Sequence, residues 1–305
     1  MRIPVPKFKK LTPQRLAIDL IVLACIILLG VSSWLWWSKI VMNPGRALDD
    51  AIANSLHTRS VTKHVTQVGT TGSVDQVSYL SFFPGSIGAQ TDTVLTQGIG
   101  SNSASVNTET IGTTDRDFVR YTDVKGADNL SGAQRLKTLL GVWAERNQDI
   151  AKGQRVSFLN ESMFGIVPFG YFNDAEKSQL IGLINQKGIY KYTSATRSIE
   201  NRRPVYIYTL ALNPADLVDV MHEYVRLSGA GDPSQFDSTQ YKGLGVLHIQ
   251  LTVDILSRQI IEVQYPTGRV ENYSGYNLYK QINLPADTIP IEELQKRLQG
   301  QGSNA

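Results

Sequence analysis

The run Val61–Ile111, VTKHVTQVGT TGSVDQVSYL SFFPGSIGAQ TDTVLTQGIG SNSASVNTET I, decides the fold class. It is rich in Thr, Ser, Val and Gly. Residues of this kind fit a pleated, half-buried surface better than a helix. Gly-containing turns cut it at Gly69–Gly72, Pro84-Gly85 and Gly98–Asn102, and Gly112–Thr114 follows. The spacing predicts strands over Val61–Val68, Val74–Phe83, Thr91–Ile99 and Ala104–Ile111, and a further strand over Phe118–Tyr121. Alternation is imperfect, as in an antiparallel meander with one covered face. A Ser/Thr-rich stalk is the rival reading. Regular turn spacing and the strand-suited Phe and Tyr residues favour the sheet.

Upstream, Asn43 and Pro44 open a short helix with Leu48, Ile52 and Leu56 on one face. Before it, Leu20–Ser38 carries no charged residue. As a helix that run spans roughly 28 Å, close to a bilayer core. Thr12 and Pro13 supply a start signal, and Trp34, Trp36 and Trp37 suit a headgroup zone at the far end. Arg2, Lys7, Lys9, Lys10 and Arg15 precede it, which keeps the N-terminus inside. Other readings are signal cleavage after Ser33, a lipid-modified Cys25 and a buried core helix. Cleavage would leave Trp34–Trp37 as an apolar terminus. Apolar residues continue well past Cys25, unlike at a lipidation site. The basic flank argues against a core helix.

Charge sharpens this division. The 305 residues hold 30 basic and 27 acidic side chains, a net charge of +3. Setting aside the five basic residues of the tail leaves 25 against 27. The outer part is thus slightly acidic, which removes the electrostatic case for nucleic-acid binding. Cys25 is the single cysteine, so the outer part has no disulfide and no thiolate metal site.

Downstream, Leu136, Leu139, Leu140 and Trp143 form a helical stripe, and Leu180, Ile181 and Ile184 another that ends at Lys187-Gly188. Between them lies Met163–Phe172, MFGIVPFGYF, apolar but broken by Gly and Pro. Neither a helix nor a central strand suits it. Strands are expected at Tyr190–Thr193, Val205–Leu212, Gly245–Val253, Ile260–Gln264, Val270–Tyr273 and Leu278–Ile282. Helices are expected after Asn213-Pro214 and near Pro290.

The C-terminal run LTVDILSRQIIEVQYPTGRVENYSGYNLYKQINLPADT resembles the closing strands of the LolA and LppX/LprG envelope lipoproteins. Val253-Asp254, Ile261-Glu262-Val263 and Ile282–Asp287 occupy the matching places, and the opening helix with Ser60–Thr62 is also similar. Residues Arg135–Leu227 match loosely. The resemblance implies a curved antiparallel sheet, an incomplete barrel, whose helices cover a site for a lipid or acyl chain. The expected fold is therefore α+β: one transmembrane helix, then a helix-covered curved sheet. The expected divisions are a basic cytoplasmic tail at 1–15, the membrane span at 16–42, an extracytoplasmic domain at 43–299 and a disordered tail at 300–305. The protein would sit in the cell membrane as a single-pass chain.

Catalytic motifs are sparse. His57, His64, His222 and His248 show no helical ligand spacing, and His222-Glu223 lacks a second His because Arg226 stands there. No G-x-S-x-G elbow occurs. Gly98–Ser101 and Gly229–Gly231 lack a phosphate-loop context. The paired carboxylates read as helix charges. No enzyme activity, metal or cofactor is expected. The sharp hypothesis is an apolar cavity or lid made by Leu80, Phe82, Phe83, Met163, Phe164, Ile166, Phe169, Tyr171, Phe172, Met221 and Tyr224. It would hold a lipid or other amphiphile. The alternative is a protein-interaction or envelope-sensing module with a filled core, whose Thr-rich strands in Val61–Ile111 pair with a partner.

Overall fold

A computed structural model of the chain describes residues 13–38, 42–84, 86–98, 103–126, 133–147 and 157–300. The tail cations Arg2, Lys7, Lys9 and Lys10, the cap Thr12 and residues 301–305 lie outside them. The chain divides into two compact units at Ala47–Leu48.

In the first unit, helix α1 covers Pro13–Trp36. Its side chains from Leu20 onward are exposed. Among the described residues no helix is long and apolar enough to cross a membrane. The span expected over 16–42 meets an α-helix over Pro13–Trp36, and residues 39–41 lie outside the described ones. Helix α2, Pro44–Ser55, follows, with the Asn43 side chain accepting from the Arg46 amide at 3.0 Å.

The second unit is organised by one sheet of 12 strands. Strands β1 (Ser60–Val68), β2 (Gly72–Ser81), β3 (Gly88–Gln97), β4 (Ala104–Thr113) and β5 (Arg116–Lys125) form a meander. Short helix α3 (Ala133–Thr138) leads to β6 (Ala144–Asn147) beside β5. Helices α4 (Phe158–Met163) and α5 (Asp174–Lys187) come next. Strands β7 (Tyr192–Glu200) and β8 (Arg203–Leu212), helix α6 (Pro214–Ser228), then β9 (Leu247–Asp254), β10 (Ile260–Gln264) and β11 (Arg269–Ser274) make a second meander. It joins the first where β11 pairs with β1. Finally β12 (Ile289–Pro290) pairs with β6 and starts α7 (Ile291–Gln299). The edges β7 and β12 do not meet, so the curved sheet is unclosed.

Register assigns the two faces, since successive side chains point to opposite sides. Val61 lies opposite Leu80, and Lys63 lies opposite both Ser78 and Tyr273. Glu271, Val263, Leu251 and Tyr208 continue this row. Helix α4 packs on this face. A Cβ at Gly112 would sit 2.2 Å from the Leu159 amide nitrogen, so only glycine permits the approach. Thr62, Tyr79, Gln90, Ile111 and Phe118 line the other face. The segment 275–288 crosses it as a strap. The Asn277 amide donates to the Ser60 carbonyl at 2.8 Å, and the Ser60 and Tyr79 hydroxyls both donate to the Leu278 carbonyl.

Several expectations change. Leu278–Ile282 is not a strand, because side-chain hydroxyls rather than a neighbouring ladder satisfy its backbone. The Leu136–Trp143 stripe is helical only to Thr138. Gly141 at φ +79° turns the chain, and Trp143 stacks under Arg120 at 4.6 Å. Strand β7 runs to Glu200 because Asn201 and Arg202, both at positive φ, close a tight hairpin onto β8. The Thr-rich strands of Val61–Ile111 are not edges, since each is paired on both sides.

Candidate functional site

The helical face holds most of the residues expected to line a cavity. Leu80 on β2 and Tyr224 on α6 are fully buried, and Phe82, Met163, Ile166, Phe169, Phe172 and Met221 are nearly so. Phe83, Phe164 and Tyr171 are half-buried. Phe83 turns to Tyr279, with ring centroids 5.3 Å apart.

The apolar loop is held by hydrogen bonds at almost every joint. The Thr58 amide donates to the Gly170 carbonyl at 2.8 Å, the Gly170 amide to Ser55 at 3.0 Å and the Phe172 amide to Leu56 at 3.1 Å. The Tyr224 hydroxyl donates to the Phe169 carbonyl at 2.5 Å and the Tyr190 hydroxyl to the Ile166 carbonyl at 2.6 Å. Burial raises both phenols well above the ordinary tyrosine value. Rings pack around the loop: Phe164 and Phe172 both meet Tyr224 edge-on, and Phe169 meets Tyr273 at 4.8 Å. Gly170 is required here, because a Cβ would lie 2.5 Å from the Phe172 ring.

Beneath the loop lies a polar cluster that sequence reading did not single out. Lys63 is 2% exposed, and its Nζ donates to the Phe164 carbonyl at 3.3 Å. Desolvation lowers its pKa to about 8, against the opposing attraction of Glu271. Glu271 is fully buried. It accepts from Arg269 at 2.9 Å and from the Tyr273 hydroxyl at 2.6 Å. The visible signal was Val61-x-Lys63-x-Val65, a cation in the apolar row of a strand.

Two hollows matter. The first, about 80 Å³, lies among Phe82, Met163, Tyr171, Phe172, Tyr224 and Leu227. The second, about 460 Å³, lies on the opposite face between the strap and the strand ends at Ser81, Gly88 and Thr113. None of the residues proposed from sequence lines the larger one. Among the described residues no group of three His, Cys, Asp or Glu side chains could hold a metal ion. His64 instead pairs with Asp75 at 2.8 Å, and His57 packs on the Tyr171 ring at 4.8 Å.

No protein-family model matches the chain, and no curated protein matches it.

Proposed function

We propose that this chain is a membrane-tethered, extracytoplasmic interaction or sensing module without enzymatic activity, built on a LolA/LppX-like curved sheet with a filled interior. The carrying observation is the space between sheet and helices. Among the described residues, the hollow bordered by Phe82, Met163, Phe172 and Tyr224 measures about 80 Å³. That is room for two or three waters at ~30 Å³ each, far below the roughly 300–1,000 Å³ of ligand pockets.

The partner surface in this reading is the open edge of β7. It is 9 residues long and carries no Pro and no Lys. Such an edge presents unpaired backbone groups as a template for an added strand. The occupant is an extended segment of a partner protein. A photo-crosslinking residue at Thr196 should capture a partner in cells, whereas one at Val74 on the interior strand β2 should not. Capture from Val74 alone would sink the assignment.

Exposed apolar side chains along Leu20–Trp37, preceded by five cations, support insertion of α1 in a bilayer with the N-terminus inside. Alkaline carbonate should leave the full chain in the membrane pellet and release a chain that begins at Asn43. A full chain recovered in the wash would contradict the tether.

One observation favours the amphiphile reading as a second possibility. Phe82, Met163, Tyr171, Phe172 and Tyr224 border the same small hollow, so outward movement of the loop would enlarge it. Retention of a lipid by the purified outer unit tests this.

A further inference from the structure

We propose that the 460 Å³ cleft beneath the strap is a binding site for a neutral saccharide of one or two sugar units. The cleft lies on the face away from α4, and its size falls in the range of small-ligand pockets.

Its chemistry separates the possible ligands. From the strand ends come Ser81, Thr113 and Thr114, joined by Ser86 and Asp115; the Thr113 hydroxyl already donates to the Asp115 carboxylate at 2.8 Å. The strap contributes the Gln281 amide, the Lys280 ammonium and the Tyr279 ring. Donors and acceptors are therefore mixed, as a polyol requires. The apolar lining from Ile87, Ile282 and Leu284 is shared about equally with polar groups, unlike the predominantly apolar sheath of an acyl-chain site. The two charged lining residues, Lys280 and Asp115, cancel in formal charge, so the lining gives no net attraction for a phosphate or other anion.

Tyr279 supplies the remaining element. Its ring is 68% exposed. Phe83 meets it edge-on at 5.3 Å, which fixes its orientation while leaving it open to the cleft. The negative face of an aromatic ring attracts the polarised C–H groups of a sugar face. The strap that carries it is held in place: the Lys280 amide donates to the Tyr79 hydroxyl at 2.7 Å, and Ile282 packs where a Cβ on Gly88 would fall 3.3 Å from its Cδ1. The platform is thus set against the strand ends before any ligand arrives.

The test is saturation-transfer NMR on the full chain in nanodiscs, with chitobiose, cellobiose and maltose as probes and decanoate as comparator. At least one disaccharide should receive saturation. Its affinity should fall by about tenfold or more in Tyr279→Ala and be kept in Tyr279→Phe, with circular dichroism unchanged in both. Asp115→Asn should weaken the same ligand. No transfer to any of the three, unchanged affinity in Tyr279→Ala, or binding of decanoate alone at this cleft would overturn the proposal.

Discussion

Lys63 and Phe164 meet where the centre of the sheet touches the apolar loop: the lysine Nζ donates to the Phe164 carbonyl at 3.3 Å. The contact links the strand row Val61-x-Lys63-x-Val65 to the segment that covers it. It also places a cation where water is excluded. Glu271 attracts that cation, but desolvation outweighs the attraction and its pKa falls from 10.5 to about 8.

A pH dependence of stability follows. Between pH 8 and 10.5 the folded chain binds fewer protons at Lys63 than the unfolded chain, so stability rises with pH across that window. The full effect is about 3 kcal/mol at ~1.4 kcal/mol per pKa unit. Lys63→Met should be about 1 kcal/mol more stable than the parent at pH 7 and less stable at pH 10, with the two curves crossing between. Urea titrations across this range provide the check. Parallel curves would show that Lys63 does not lose its proton as the geometry requires.

Above pH 10 the tyrosines take over. Tyr190, Tyr208, Tyr224, Tyr265, Tyr273 and Tyr276 are all raised above 10, chiefly by desolvation. Their contribution is intact below pH 10 and is lost as pH climbs beyond it, because only the unfolded chain ionises them readily. Stability should therefore pass through a maximum near pH 10. Phenolate absorbance should appear together with unfolding rather than before it.

Gly112 tests how α4 is seated. A methyl group there would strike the Leu159 backbone at 2.2 Å. Gly112→Ala should cost about 2–3 kcal/mol, as overpacking does, and shift the urea midpoint down. Gly182→Ala, where nothing lies within 4 Å on the exposed side of α5, should stabilise slightly. Equal effects at the two sites would contradict the close approach of α4 to the sheet.

Ile199 tests the partner edge. It is 75% exposed on β7. Ile199→Lys should leave stability within about 0.5 kcal/mol, as exposed substitutions do, yet abolish crosslinking from Thr196. Undiminished crosslinking would remove β7 as the docking edge.

Local chemistry made much of the fold legible. Ile260–Gln264 reads as a strand to the residue, and Asn173, Gly188, Asn213 and Gly229 mark the ends of α5 and α6 as caps should. Non-local partners decided the rest. The Asn201-Arg202 turn lacks the glycine that advertises a tight hairpin, so the expected strand Tyr190–Thr193 meets β7 only at Tyr192 and Thr193. Leu278–Ile282 has strand composition, but no ladder reaches it. Sequence order also hid the edges: β1 to β4 come first in the chain yet lie inside the sheet. Most residues expected at a cavity, among them Leu80, Phe169 and Tyr224, are buried on the helical face. Whether such a group encloses a void depends on how the rings fit, which composition does not encode. The larger cleft arises from a strap and three strand ends far apart in the chain, and no local pattern announces it.

The filled interior is the central claim, and native mass spectrometry of the chain from Asn43 onward tests it most directly. The account predicts the bare protein mass after gentle purification, and no adduct after incubation with fatty acid or phospholipid. A stoichiometric lipid adduct that disappears when Met163 and Phe172 are enlarged or made polar would contradict it.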